Sequence, residues 1–170
     1  MKVSSKSLPR GKRTVTPYIL VRDAAGFIEF LELAFNAHEF GRVETSEGKI
    51  GHAEVGLGDS TIMIVDSHER WQDLPAFLSI YVDDADEVFR QAISAGATVV
   101  TEMADSKILG DRGGRLCDPF GNIWWIQTHL SDVTPAEARD YFQDPQELKI
   151  MENAQNTFVQ AMNERYPRTR

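Results

Sequence analysis

The sequence contains a single cysteine, Cys117, and has no long apolar run. One cysteine cannot form an internal disulfide, so we expect a reducing compartment and a cytoplasmic protein. The longest apolar runs, 61–65 and 123–126, are far too short to cross a bilayer. The N-terminus also lacks the apolar core of a signal peptide, so no membrane partner is expected.

Positive charge is scarce as well. The 170 residues include 18 Lys and Arg against 26 Asp and Glu, and five of the cations lie within residues 1–13. We expect this basic segment to be a flexible tail, because no aromatic residue is interleaved with its cations. The rest of the chain is strongly acidic, which argues against nucleic acid as a partner. A hydrophobic content of 42% is sufficient for a buried core.

Several catalytic signatures are missing from the sequence. We find no phosphate loop, dinucleotide fingerprint, paired cysteines or Ser-His-Asp order. Hydrolase and NAD-dependent activities therefore have no support. His38, His68 and His129 lie near the ends of predicted elements, where a histidine is more often a surface residue than a ligand, although His129 is close enough to Gln127 to matter at the mouth of a cleft.

An internal repeat with an offset of 61 residues is the most informative feature of the chain. Val21, Asp23 and Ala24 recur 61 positions later, and the same offset carries Ile62 onto Ile123. The alignment needs no gap over this span, which argues against chance similarity. The repeat therefore predicts two copies of one module.

Each copy has the pattern of a strand, a helix and three further strands. Alternating β-branched and aromatic residues predict first strands at 14–21 and 77–82. Asp23 and Asp84 follow at the N-cap positions of two helices, where a carboxylate can accept free backbone N–H groups. Segments bounded by Gly, Asp and Ser predict the other strands at 38–45, 50–58 and 60–66, then at 98–104, 112–118 and 122–128.

These elements predict an α+β protein of two β-α-β-β-β modules, residues 14–66 and 77–130, joined by a linker at 67–76. One helix covers only one face of a four-stranded sheet, so each module has a bare face that needs a partner. Two modules that shelter each other would leave an open, cup-shaped cleft, which is the expected ligand site. We expect a homodimer, and the modules could pair within one chain or between two.

A C-terminal extension, 131–170, follows the repeat. Capping signatures at Thr134-Pro135 and Asp144-Pro145 predict two helices there. The second helix has an apolar stripe with one polar break, formed by Leu148, Met151, Gln155, Phe158 and Met162. It must dock, either on its own sheet or on another subunit.

Four motifs carry a resemblance to a known family. They are Thr16-Pro17-Tyr18, Gly51-His52-Ala53-Glu54, Gly110-Asp111-Arg112-Gly113 and Asp118-Pro119-Phe120-Gly121-Asn122, the last followed by Ile123-Trp124. With them, residues 14–129 resemble the vicinal oxygen chelate superfamily of glyoxalases, bleomycin resistance proteins and dioxygenases, and within it the PhnB-like branch. The resemblance implies paired modules around a ligand cleft.

The resemblance also implies a divalent metal held by His and Glu side chains on matching strands of the two modules. The matching positions in this sequence are Thr16, Phe77, Ile64 and Trp125. None of these is a good ligand, because Zn, Fe, Mn and Ni need imidazole, carboxylate or thiolate donors. We therefore expect no cofactor and no metal centre of the glyoxalase type. A metal of another geometry at His52 and Glu54 stays open.

Alternation along the strands selects the side chains expected to face the cleft. His52 and Glu54 share one face of their strand, opposite Ala53 and Val55, and could bind a polar substrate or exchange a proton. The alternative is a solvated pair on an open sheet face. For Asp111 and Arg112 we favour a mutual pair that fixes a loop over direct ligand contact. The full set of expected ligand-binding residues is Thr16, Tyr18, Phe77, Ser79, Tyr81, Asp111, Arg112, Trp125 and Gln127.

Two functions follow from this site. The first is a binding protein that holds a small organic molecule between aromatic walls, which the loss of the metal-ligand residues favours. The second is an enzyme of lyase, isomerase or dioxygenase type, with His52 and Glu54 as catalytic residues, with or without a metal. A purely structural role ranks last.

Overall fold

The fold is described from a computed structural model that covers residues 12–72 and 74–165. The chain divides between Ala76 and Phe77 into two compact units. Each unit contains one four-stranded mixed sheet and one helix on that sheet, and the second unit adds two C-terminal helices. The predicted α+β class with two β-α-β-β-β modules is confirmed. Within these described ranges, no helix has the length and apolarity needed to span a membrane.

The first unit consists of β1 (Tyr18–Val21), α1 (Ala24–Phe35), β2 (His38–Glu44), β3 (Ile50–Leu57) and β4 (Ser60–Asp66). Its strand order is β1-β4-β3-β2, with β1 parallel to β4 and the other pairs antiparallel. The first strand is shorter than the predicted 14–21. Pro17 precedes it because proline has no N–H for the ladder, although the Pro17 carbonyl accepts a hydrogen bond from the Met63 nitrogen at 2.9 Å.

The second unit repeats this topology. It consists of β5 (Phe77–Tyr81), α2 (Ala85–Ser94), β6 (Thr98–Ser106), β7 (Asp111–Cys117) and β8 (Ile123–His129), followed by α3 (Pro135–Tyr141) and α4 (Pro145–Arg165). The strand order is β5-β8-β7-β6, again with one parallel pair, β5 with β8. Both predicted C-terminal helices are therefore present.

Both module helices begin at the predicted aspartates. The Asp23 carboxylate accepts a hydrogen bond from the Gly26 nitrogen at 3.0 Å, and the Asp84 carboxylate accepts one from the Glu87 nitrogen at 2.9 Å. Each cap satisfies a backbone donor that has no partner inside the helix, which stabilises the helix by about 1 kcal/mol.

One face of each sheet is buried together with its helix. In the first unit the buried side chains are Ile19, Phe27, Leu31, Ala53, Val55 and Ile64. In the second they are Phe89, Ala92, Leu116, Trp124 and Ile126. Burial of each large apolar side chain stabilises the fold by about 1.5–3 kcal/mol. The opposite face of each sheet is thereby left to carry polar and aromatic side chains.

The turn between β7 and β8 is built around Asp118. This residue is 1% exposed, and its carboxylate accepts hydrogen bonds at 2.9 Å from the Phe120 and Asn122 nitrogens, from Asn122 Nδ2 and from Trp124 Nε1. Without the Asp118 carboxylate, these four N–H donors would lose their bonds to water on folding and gain no hydrogen bond in return. The turn therefore also fixes the Trp124 ring in the core.

The repeat offset changes at this turn. Four residues separate the paired Gly56 and Thr61, whereas five separate the equivalent pair Cys117 and Ile123, so the last strands match with an offset of 62 instead of 61. Ser79 pairs with Trp125, and Tyr18 pairs with Met63. The structural counterpart of Trp125 is thus Met63. The predicted counterpart, Ile64, is wrong, and it lies on the buried face.

Candidate functional site

Helix α4 lies on the face of the second sheet that α2 leaves uncovered. The Phe158 ring is 5.1 Å from the Phe77 ring, and the hydroxyl oxygens of Thr157 and Thr101 are 2.8 Å apart. Polar and aromatic contacts thus hold the helix on its own chain. The sequence left two docking sites open for this helix, the sheet of its own chain and another subunit. In the structure, α4 docks on the sheet of its own chain.

The buried stripe of α4 differs from the predicted one in the first half of the helix. Glu147 is buried and Ala154 is half-buried, whereas Leu148 and Met151 are 45% and 40% exposed. One cause is a backbone donor in the β6–β7 turn next to the start of the helix. The Glu147 carboxylate accepts a hydrogen bond from the Lys107 nitrogen, a contact that an apolar side chain cannot make.

A cavity of about 680 Å³ lies between α4 and the second sheet. This volume falls within the usual range of small-molecule sites, about 300–1,000 Å³. Trp125, Gln127 and Asp111 line it from the sheet, and α4 contributes Ile150 and Phe158 among other side chains. This half-open space therefore combines aromatic and apolar walls with polar groups.

Gly113 keeps the sheet side of this cavity open. A Cβ atom at this position would lie 2.7 Å from the Ile126 carbonyl oxygen, 2.8 Å from Gln127 Cγ and 3.2 Å from Trp125 Nε1. Such distances are shorter than normal van der Waals contact. Because Gly113 has no side chain, the Trp125 and Gln127 side chains of β8 can lie close to β7 at this position.

Arg115 is the cation at this cavity that the sequence analysis missed. Its guanidinium carbon lies 4.5 Å from the centroid of the Trp125 ring and 5.3 Å from that of Phe158, both within cation–π range. Its Nη1 donates a hydrogen bond to the Ala154 carbonyl oxygen at 2.7 Å. Burial lowers the pKa of Arg115, yet an arginine stays protonated at neutral pH. The cavity therefore contains a partly desolvated positive charge.

The same guanidinium has unused hydrogen-bonding capacity. Its Nε is a buried donor with no hydrogen-bond partner among the described residues. Across the same ranges, no carboxylate forms an ion pair with Arg115. A signal for this residue was available in the sequence, because alternation along 111–117 puts Arg115 on the same face as Asp111.

Asp111 organises the polar end of the cavity. It is 5% exposed, and its carboxylate accepts a hydrogen bond from the Tyr81 hydroxyl at 2.8 Å. His129 Nδ1 lies 2.9 Å from the other carboxylate oxygen. The bond to Asp111 raises the pKa of the Tyr81 hydroxyl, and burial adds to the shift. Both carboxylate oxygens are engaged, so Asp111 acts here as an acceptor that positions its two neighbours.

Arg112 lies on the opposite face of β7 from Asp111. Its Nε and Nη2 bind the Asp86 carboxylate at 2.6 and 2.7 Å, and its Nη1 binds Asp105 at 2.8 Å. The expected pairing of Asp111 with Arg112 is wrong, because adjacent residues of a strand point to opposite faces. Arg112 instead ties β7 to α2 and β6.

Six of the seven predicted ligand-binding residues of the second unit lie at the cavity or contact its walls, and Arg112 is the exception. Asp111, Trp125 and Gln127 line it directly. Three others contact its walls: Phe77 packs on Phe158, the Ser79 hydroxyl accepts a hydrogen bond from Gln127 Nε2 at 2.6 Å, and Tyr81 binds Asp111.

Three of the predicted residues of the first unit, Tyr18, His52 and Glu54, lie together on one face of their sheet. His52 Nε2 is 3.3 Å from Glu54 Oε1, and the Tyr18 and His52 rings are 6.3 Å apart. Ala53 and Val55 are fully buried on the other side, as alternation predicts. This face therefore presents an imidazole beside a carboxylate.

Lys12 changes the chemistry of that pair. Its ammonium group lies 2.5 Å from Glu54 Oε1. The hydrogen bonds from Lys12 and, next, from His52 lower the pKa of Glu54. A carboxylate held in this way is a weaker general base than a free one.

The last residues of the predicted basic tail are anchored to the first unit. Residues 1–11 lie outside the described part of the chain, but Lys12 binds Glu54, and Arg13 forms an ion pair with Asp59 at 2.5 Å. The Thr16 hydroxyl donates a hydrogen bond to the Arg13 carbonyl oxygen at 3.1 Å. Thr16 thus makes a local contact with the backbone just before β1.

The residues present do not fit the metal centre that the resemblance implies. Thr16, Phe77, Met63 and Trp125 occupy or match its positions, and neither aromatic rings nor a threonine hydroxyl are the donors that such metals prefer. In residues 12–72 and 74–165, no three His, Cys, Asp or Glu side chains cluster as a possible metal site.

Comparison with known sequences identifies the family. The family model of the Glyoxalase/Bleomycin resistance protein/Dioxygenase superfamily matches residues 13–126. An uncharacterised protein of Mycobacterium bovis, Mb0911c, is 34% identical over 134 residues, which cover 72% of this chain and 88% of that protein.

Solved structures share the fold. TioX from Micromonospora sp. ML1 has a TM-score of 0.58 and 23% identity, with 68% of this chain and 97% of that chain covered. A PhnB protein from Bacillus cereus has a TM-score of 0.54 and 15% identity, with coverage of 68% and 99%. At these identities the likeness shows the fold alone. The family model that matches residues 13–126 establishes that the chain belongs to the Glyoxalase/Bleomycin resistance protein/Dioxygenase superfamily.

Proposed function

We propose that this protein binds a small organic molecule in the cavity between α4 and the second sheet. The observation that carries the proposal is the cavity itself, about 680 Å³ with the Trp125 and Phe158 rings in its walls. Small-molecule binding is the function that the sequence predicts, but the proposed site lies within the second unit. The cleft between paired modules stays a prediction.

The chemistry of the walls supports a planar or amphipathic ligand. Aromatic faces such as Trp125 stack on planar groups, and Ile150 and Met151 add apolar surface. Gln127 and Arg115 supply a small number of polar groups that can fix the orientation of the ligand. This combination of mostly apolar walls and few polar anchors is typical of small-molecule sites.

Isothermal titration with a library of planar aromatic compounds tests this function. We expect Trp125→Ala to weaken binding of any hit by about tenfold or more, since the stacking surface is lost. Trp71→Ala is the matched control, because Trp71 is exposed and belongs to the first unit. Hits that bind Trp125→Ala as tightly as the unsubstituted protein would contradict the location of the site.

An enzyme that uses His52 and Glu54 is the second candidate function. The 3.3 Å approach of His52 Nε2 to Glu54 Oε1 favours it, and the Lys12–Glu54 ion pair opposes it. Metal analysis of freshly purified protein separates the two candidates. Stoichiometric Ni, Zn, Mn or Fe that is lost in His52→Ala would support the enzyme and overturn our rejection of a metal site.

The predicted homodimer is also part of the proposal. Leu148, Met151 and Val159 are large apolar side chains of α4 that stay exposed in the single chain, and exposed apolar surface favours association. Sedimentation velocity over a wide range of protein concentration tests this state. A single monomeric species at every concentration would contradict it.

A further inference from the structure

The positive charge of Arg115 has no counter-ion in the described part of the chain. Its guanidinium carbon lies over the Trp125 and Phe158 rings, and its Nη1 donates a hydrogen bond to a neutral acceptor, the Ala154 carbonyl oxygen. Removal of a charge from water costs several kcal/mol unless an opposite charge compensates. A cavity that keeps such a group is preorganised for a negative ligand.

We propose that the cavity takes an organic anion, a planar or apolar body with a carboxylate or a similar oxyanion, and that Arg115 is its counter-ion. This inference rests on the proposed function and adds the chemical class of the ligand. The ring system would contact Trp125 and Phe158. The oxyanion would bind the guanidinium.

The geometry of the guanidinium suits this role. The guanidinium carbon lies 4.5 Å from the Trp125 centroid and 5.3 Å from the Phe158 centroid, and these contacts restrict the side chain, so less conformational freedom is lost on binding. Nη1 is engaged with Ala154, whereas the buried Nε has no partner among residues 12–72 and 74–165. Arg115 is half-buried and lines the cavity, so an oxyanion bound there can accept charge-assisted hydrogen bonds from the guanidinium, which are stronger than those from neutral donors.

The acidic groups at the cavity do not neutralise this charge. Both Asp111 oxygens are engaged, one with the Tyr81 hydroxyl and one with His129. Glu102 lines the cavity but is exposed to solvent, and Lys149 adds a second cation to the lining. The chain as a whole carries a net charge of −8, which disfavours non-specific anion binding. Lys149 is exposed to solvent, so selective uptake of an anion would depend on the partly desolvated Arg115.

A pair of probes that differ in charge tests the inference on the full chain. The probes are 2-naphthoate and 2-naphthamide, which share the ring system and the position of the carbonyl group. We expect isothermal titration to give a Kd for naphthoate about tenfold or more below that for naphthamide, because only the anion forms charge-assisted hydrogen bonds.

Substitutions then assign the preference to Arg115. In Arg115→Met the two Kd values should become equal within about twofold, mainly through weaker naphthoate binding. Arg115→Lys should keep part of the preference, because lysine retains the charge without the planar fork. Arg112→Met is the matched control, since Arg112 belongs to the same strand but faces Asp86 and Asp105. It should retain the preference, and circular dichroism verifies that each variant is folded.

The outcomes separate the inference from the proposed function. Equal affinities in the unsubstituted protein, with both lost in Trp125→Ala, would overturn the anion inference and leave small-molecule binding in place. A preference that survives in Arg115→Met would overturn the assignment to Arg115. Probe binding that is insensitive to both Arg115→Met and Trp125→Ala, or no binding of either probe, would count against both proposals.

Discussion

The Glu147 carboxylate accepts a hydrogen bond from the backbone nitrogen of Lys107, with 3.0 Å between the two atoms. Only 2% of Glu147 is exposed. The Lys107 ammonium group in turn lies 3.1 Å from the Asp144 carboxylate, just before α4 begins. The turn between β6 and β7 thus holds the first residues of α4 through both its backbone and its side chain.

Replacement of Glu147 should therefore loosen α4. In Glu147→Ala the Lys107 nitrogen loses its partner, and we expect the free energy of unfolding to fall by about 1–3 kcal/mol. Urea unfolding followed by circular dichroism measures this change. Glu152→Ala, on an exposed position of the same helix, should change it by less than about 0.5 kcal/mol. Equal losses in the two variants would contradict the role of the Lys107 contact.

We expect substitution of Asp118 to lower the free energy of unfolding more than substitution of Glu147 does. Asp118→Ala leaves four donors without their acceptor in the interior, so we expect a loss of about 3 kcal/mol or more in the free energy of unfolding. Asp59→Ala is the matched control in the corresponding turn of the first unit. Asp59 is exposed and pairs with an exposed Arg13, so its loss should cost less than about 1 kcal/mol. A loss below about 1 kcal/mol for Asp118→Ala would refute this account.

Local patterns were sufficient to predict most of the fold. The N-caps at Asp23 and Asp84 and the inward faces of Ala53 and Val55 follow from rules about neighbouring residues. The change of offset at Asp118 could not be inferred in this way. A one-residue difference between the two connections becomes visible only when the strands are paired.

The candidate site was harder to predict because it depends on the docking of α4. The sequence showed an apolar stripe that included Leu148 and Met151, and it did not show that the β6–β7 turn would offer the Lys107 nitrogen to Glu147. Arg115 was accessible in principle through alternation along β7. Its significance arises only from the aromatic rings and the Ala154 carbonyl, which α4 and β8 bring to it.

His129 should make stability depend on pH. Hydrogen bonds to Asp111 and, next, to Asp132 raise the pKa of His129 above its usual 6.5. A raised pKa means that the folded state favours the protonated imidazole. The resulting stabilisation is fully present below the pKa of the unfolded chain and is lost as the pH rises through the folded value.

His129→Gln should accordingly lower the urea midpoint more at about pH 5.5 than at about pH 9. Titration of the His129 ring by NMR gives a direct second measurement, with a midpoint above 6.5 in the unsubstituted protein. Asp111→Asn should move that midpoint down, because the neutral amide no longer favours the charged ring. A midpoint that does not respond to Asp111→Asn would contradict the pairing.

The Lys12–Glu54 pair predicts the opposite dependence. Because its two hydrogen bonds lower the pKa of Glu54, the folded state favours the carboxylate. The stabilisation is present above the usual 4.5 and is lost as the pH falls through the folded value. Lys12→Met should therefore cost up to about 1 kcal/mol near pH 7 and much less near pH 3. Arg13→Met, which removes a more exposed pair, is the control and should cost less at neutral pH.

The Lys12→Met variant also tests the catalytic role proposed for His52 and Glu54. Without Lys12, the pKa of Glu54 should rise towards its usual value, and NMR titration of the Glu54 carboxyl carbon can follow this shift. If Lys12 restrains a general base, a reaction at this face should become faster in Lys12→Met at neutral pH. If Glu54 titrates at its usual value in the unsubstituted protein, the ion pair does not control this carboxylate, and the objection that it raises against the enzyme is removed.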